Sequence, residues 1–167
     1  MAEITTTNTD IVNVAPIDIL LVEDDEIDSE AALRAFEKGK IKNNILVARD
    51  GEEALDFVYH RGAYQDKNKY PRPDLILLDI RMPKLGGFEV LKKLKEDPQY
   101  SYIPVVMLTS SQNEEDVLKS YGFGAASYIP KPVSYEDFKK VVDGFNFYWH
   151  IINKLPPKGL PGKSDKG

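Results

Sequence analysis

The chain has 167 residues, 42 % hydrophobic and 29 % charged, which suits one globular domain with tails. It contains no cysteine, which excludes disulfides and thiolate metal sites. A net charge of −5 argues against nucleic acid as the main partner. No apolar run reaches membrane-spanning length and the N-terminus lacks the basic and apolar regions of a signal peptide, so a cytoplasmic protein is expected.

Residues 1–15 are rich in Thr, Asn and Asp and read as a disordered tail. Ile17 to Val22 is a strand that ends in the acid run Glu23-Asp24-Asp25-Glu26. In the helix that follows, Ile27, Ala31, Ala32, Ala35 and Phe36 are expected to mark one apolar face, with Gly39 at the exit. Ile45 to Ala48 makes a second strand, and Gly51 to Tyr59 a second helix with Ala54, Leu55 and Val58 inward. Residues 60–72 form a polar loop, long for a strand-to-strand unit of this kind.

The apolar run Leu75 to Leu78 is too short for a helix core and is bounded by Pro73 and Pro83. It reads as a strand buried on both faces, which requires a parallel sheet covered by helices. The run stops at Asp79, and a loop with Met82-Pro83 and Gly86-Gly87 leads into the amphipathic segment Phe88 to Lys95. Ile103 to Thr109 is a fourth strand, and Glu114 to Tyr121 a helix whose acidic first turn suits the helix dipole. Ala126 to Ile129 is a short fifth strand before Pro130-Lys131-Pro132. A long last helix runs from about Tyr135 to Asn153, and Pro and Gly then make 154–167 a flexible tail. Five strands alternating with five helices predict one doubly wound, parallel α/β domain over residues 16–153.

Ligands bind beyond the carboxyl ends of strands in such sheets. Three strands end in polar residues there: Glu23-Asp24, Asp79, and Thr109 with Lys131 from the next loop. Each has an innocent reading: an Asp can cap a turn, a Thr commonly ends a strand, and a Lys between prolines is usually solvated. Asp25 reads as the N-cap of the first helix, with Asp28 as a short capping-box partner. The combination says more. Converging carboxylates repel one another, and Mg2+ relieves this by taking hard oxygen ligands together with phosphate. A nearby Lys and hydroxyl suit a phosphoryl group on the same metal. The set points to phosphoryl transfer.

The segments VEDDE, LLDIRMPKLGGFEVL, VVMLTSS and SYIPKP together resemble the receiver domain of two-component response regulators, over about residues 17–145. The separations Asp79 to Thr109 (30 residues) and Thr109 to Lys131 (22 residues) fit that family. The resemblance implies a flavodoxin-like sheet in the order 2-1-3-4-5. It makes Asp79 the phosphoacceptor, and Glu23 and Asp24 the acidic pair that holds Mg2+, or Mn2+ in its place. Arg81 would lend its backbone carbonyl to the metal. Thr109 would hydrogen-bond a phosphoryl oxygen, Lys131 would pair with it, and Tyr128 would be the aromatic switch. Arg81 and Ser111 occupy positions that tune hydrolysis. Two departures stand out, Pro130 directly before Lys131 and the loop at 60–72, placed away from the site.

The ending FKKVVDGFNFYWHIINKLP is similar to stand-alone response regulators paired with cyanobacterial phytochrome histidine kinases. A phytochrome-type sensor kinase is therefore the expected partner. The residues beyond the receiver are too few for a DNA-binding domain, so direct transcriptional control is not expected. Neither nucleic acid nor membrane is an expected partner, and the chain is expected to be no enzyme beyond its own phosphorylation and dephosphorylation. Alternatives are a phosphorelay intermediate and a phosphorylation-independent binding module. An aspartyl-phosphate hydrolase would want a second acid near Asp79, where Arg81 stands, and no GxxxxGK or GxGxxG supports nucleotide binding.

Phe138, Val141, Val142, Phe145, Tyr148, Trp149 and Ile152 recur at steps of three and four and form one stripe on the last helix. The stripe is roughly 21 Å long at about 1.5 Å per residue, against ~17–20 Å for an ordinary strand. Its far end, with Phe145, Tyr148, Trp149 and Ile152, is expected to overhang the sheet and form a homodimer interface.

Overall fold

All five strands of the sheet run parallel. The computed structural model describes residues 17–38, 43–110 and 113–141. The expected tails, Gly39, Ser111 and the last helix beyond residue 141, with Phe145, Tyr148, Trp149 and Ile152, lie outside the described residues. The strands are β1 (Ile17–Val22), β2 (Asn43–Ala48), β3 (Leu75–Asp79), β4 (Val105–Thr109) and β5 (Ser127–Pro130). They lie in the order β2-β1-β3-β4-β5, as expected. Between them run α1 (Glu26–Lys38), α2 (Gly51–Tyr59), α3 (Gly87–Glu96) and α4 (Glu114–Gly122). Residues 135–141 are helical and are termed α5.

β3 and β4 are buried at all five positions each, because helices cover both faces of the sheet. On one face Leu20, Ile76, Leu78 and Met107 pack with Leu55 and Val58 of α2 and Val90, Leu91 and Leu94 of α3. On the other, Leu21, Leu77, Val106 and Ile129 pack with Ala32, Ala35 and Phe36 of α1 and Phe138 of α5. The rings of Phe36 and Phe138 meet edge to face at 3.9 Å. Phe138, the first member of the aromatic stripe, thus belongs to the domain's own core.

Two local expectations need correction. Ile27 is 79 % exposed rather than on the buried face of α1, which consists of Ser29, Ala32, Ala35 and Phe36. The reason is angular: Ile27 lies two residues, about 200°, from Ser29 and so points the other way. The loop at 60–72 is not merely polar. It contains a 3₁₀ turn, Gly62–Tyr64, and its Tyr64 and Tyr70 rings pack on each other at 4.9 Å and on Phe57 at 5.2 and 5.9 Å. Pro130 costs the sheet nothing. In a parallel ladder alternate residues donate, and Lys131 N–H donates to the Thr109 carbonyl at 2.8 Å. The nitrogen of Pro130 therefore faces away from β4, on the edge strand where proline is tolerated.

Candidate functional site

Strand register decides which residues share the site edge. Val22 pairs with Leu78, Asp79 with Leu108, and Thr109 with Pro130. Glu23 extends β1 by one residue, its N–H donating to the Ala48 carbonyl at 3.0 Å. The carboxyl ends of β1, β3 and β4 thereby bring Glu23, Asp79 and Thr109 to one edge, where all three are buried. β1 and β3 are neighbours at the point where the strand order reverses, the usual ligand crevice of an open α/β sheet.

Lys131 joins the edge from the loop after β5. Its Nζ lies 2.7 Å from Glu23 Oε2, 3.0 Å from Asp79 Oδ2 and 3.2 Å from Asp28 Oδ2. Glu23 Oε2 is buried, and no donor other than this ammonium meets it among the described residues. One ammonium shared among several acids cannot neutralise them all. Burial accordingly pushes the Glu23 carboxyl up to about 7, against the pull of Lys131 and of the Asp25 N–H and with the Asp79 charge adding to the rise. Burial opposes the charge on Lys131, but its hydrogen bonds to Glu23 and Asp79 outweigh this and raise it above the usual lysine range.

Carboxylate oxygens of Glu23, exposed Asp24 and Asp79 lie within 4.8 Å of one another. This all-oxygen donor set fits a hard divalent cation, which would also absorb the surplus negative charge. Arg81 is exposed, and its N–H donates to Asp79 Oδ1 at 3.3 Å, which turns the start of the β3–α3 loop over the acid. The same loop passes close to the backbone of β3. A Cβ on Gly87 would stand 2.1 Å from the Asp79 carbonyl oxygen, and one on Gly51 would stand 2.4 Å from that of Leu85. Both positions need glycine because backbone occupies the space of the side chain.

Asp25 caps α1 as expected, its Oδ1 accepting from the Asp28 N–H at 2.9 Å. The expected capping-box reciprocity is absent. The Asp25 N–H donates instead to Glu23 Oε1 at 3.1 Å, and the Asp28 carboxylate turns to Lys131. A signal for this was available: Asp28 stands four residues before Ala32 and eight before Phe36, on the inward face of α1, where a charge needs a partner. Tyr128 is on the outer side of β5, 39 % exposed, with its ring edge-on to Tyr121 at 6.2 Å.

Fold and edge together define a doubly wound α/β domain with a lysine-bridged acidic site at its switch point. The chain belongs to the response regulator receiver domain family, whose model matches residues 19–143. Response regulator Rcp1 of Synechocystis sp. is 40 % identical over 138 residues, covering 83 % of this chain and 92 % of its own. Its Mn2+-bound crystal form superposes with a TM-score of 0.67 over 84 % of this chain and 99 % of that one, at 39 % identity. The bacteriophytochrome response regulator RtBRR gives a TM-score of 0.73 at 42 % identity, covering 86 % of each chain. The phosphorylated cyanobacterial phytochrome response regulator RcpA gives 0.69 at 36 % identity, covering 85 % of this chain and 99 % of its own.

Proposed function

We propose that this receiver is a phosphorylation-switched signalling module in which Asp79 accepts a phosphoryl group from a sensor histidine kinase. The carrying observation is the buried Asp79 carboxylate held 3.0 Å from Lys131 beside Glu23 and Asp24. An Asp79 oxygen attacks phosphorus as the P–N bond of a phosphohistidine breaks, and the electron pair of that bond leaves on the imidazole nitrogen. Glu23, Asp24, Asp79 and the Arg81 carbonyl would hold Mg2+, or Mn2+ as in the Rcp1 crystal form. The cation supplies positive charge for the transferring phosphoryl oxygens. Lys131 supplies the protein's own positive charge, and the Thr109 hydroxyl stands at the adjacent strand end to receive a phosphoryl oxygen. Tyr128 follows Thr109 as the reporter on the outer side of β5.

The phytochrome names of RtBRR and RcpA support a phytochrome-type kinase as donor. Signalling then proceeds by phosphorylation-dependent protein contact, within a receiver spanning residues 16–153 and located in the cytoplasm. No described helix is long and apolar enough to cross a membrane. The test is Asp79→Asn, incubated with acetyl phosphate and Mg2+ or with phosphorylated kinase. The variant should gain no label where the wild type does, and full labelling of the variant would overturn the assignment.

A further inference from the structure

We infer that Asp28 is a positioning residue that holds Lys131 in the unphosphorylated state and competes with the phosphoryl group for it. The inference rests on Asp79 being the phosphoacceptor. A lysine ammonium has three N–H donors and no acceptor. Glu23, Asp79 and Asp28 place three carboxylate oxygens within 3.2 Å of Nζ, as many as the ammonium has protons. A phosphoryl oxygen can gain Lys131 only if one of these contacts is yielded.

The three contacts are unequal. Glu23 is buried at 1 % exposure and its Oε2 has no other donor to turn to among the described residues. Releasing it would strand a buried acid, which is costly. Asp79 carries the new bond, so its negative charge moves outward onto the phosphoryl oxygens and Lys131 has reason to follow it. Asp28 makes the longest contact, 3.2 Å, and its side chain is 37 % exposed, so water can replace the ammonium there. It also places a negative charge near the one site where a dianion must arrive, and like charges disfavour each other. Asp28 is therefore the partner released, and while present it weighs against the phosphorylated state.

The role is separable from folding. Asp28 serves the α1 cap through its backbone N–H, which any replacement other than proline retains. Trifluoroberyllate, which mimics a phosphoryl group on a carboxylate, is titrated with Mg2+ into wild type, Asp28→Asn, Asp28→Ser and Asp28→Glu, and the acetyl-phosphate-labelled forms are followed for decay. The neutral variants should bind trifluoroberyllate roughly two- to fivefold more tightly, the span expected of one partly exposed ion pair. Their acyl phosphate should be longer lived. Asp28→Glu restores charge and reach and should return toward wild type, whereas a purely structural role would leave all four alike. Unchanged or weaker binding by both neutral variants, with melting temperatures like the wild type, overturns the competition while leaving Asp79 as acceptor. No trifluoroberyllate binding and no labelling in the wild type would instead overturn the phosphoacceptor reading, and this inference with it.

Discussion

Lys131 Nζ and Glu23 Oε2 meet at 2.7 Å inside the sheet edge, tying the loop after β5 to the end of β1. The pair is almost wholly screened from solvent, with side-chain exposures of 10 % and 1 %. Removing Lys131 would leave Glu23 a buried acid with no cation beside it, and breaking a buried pair in this way typically costs about 3–5 kcal/mol. The site edge is thus held together by the pairing of its own charges.

The raised Glu23 carboxyl makes this arrangement pH-dependent in a definite direction. The unfolded value is 4.5 and the folded one about 7, so between them the native state binds more protons. Metal-free stability should therefore be greatest below about pH 4.5, as far as Glu23 contributes, and fall as pH rises toward 7. Mg2+ prefers the ionised carboxylate, so its affinity should climb over the same interval. At neutral pH, Mg2+ at a hundredfold excess over its dissociation constant should add about 2.7 kcal/mol. Asp24→Ala should abolish that gain in thermal melting, and wild-type Mg2+ binding by the variant would assign the metal to another acid.

Gly87→Ala should lower stability by about 1–3 kcal/mol, the usual range for overpacking. Its Cβ would stand 2.1 Å from the Asp79 carbonyl oxygen, and backbone of the central strand cannot swing aside as a side chain could. Urea midpoints at constant slope measure the loss, and a change within a few tenths of a kcal/mol would show that the β3–α3 loop yields freely.

Thr109→Ala should still accept a phosphoryl group on Asp79 yet fail to pass the signal to Tyr128. Tyr128 is 39 % exposed, and its ring faces Tyr121 at 6.2 Å. Ring resonances of Tyr128 in NMR spectra should shift on phosphorylation of the wild type and stay in place in the variant. An equal shift in both would uncouple Thr109 from the switch.

The homodimer expected from the sequence is tested by replacing Phe145, Tyr148 and Trp149, which lie outside the described residues, with polar residues: if the chain dimerises there, light scattering should report a folded monomer. The spacing of apolar residues in the sequence after Phe138 motivates the test, while Phe138 itself is fully buried in the domain core. A wild-type chain that is monomeric at high micromolar concentration, phosphorylated or not, would dispose of the dimer.

Much of this molecule is written in local pattern. The unbroken apolar runs at Leu75 to Leu78 and Val105 to Leu108 demand helices on both sides, which by itself implies a parallel sheet. Polar residues at the strand ends, Glu23, Asp79 and Thr109, then fall on one edge because all the strands point the same way. Tertiary structure decided what local pattern leaves degenerate. Asp28 reads from the sequence as a cap partner, and it is the approach of Lys131, 103 residues away, that turns its carboxylate to the site. Ile27 looks like part of an apolar face until the rotation of α1 is set by Phe36 meeting Phe138. Tyr64 and Tyr70 look like loop residues until α2 presents Phe57 to them. In each case the deciding energy comes from a partner far along the chain, so burial and charge pairing resolve what periodicity alone cannot.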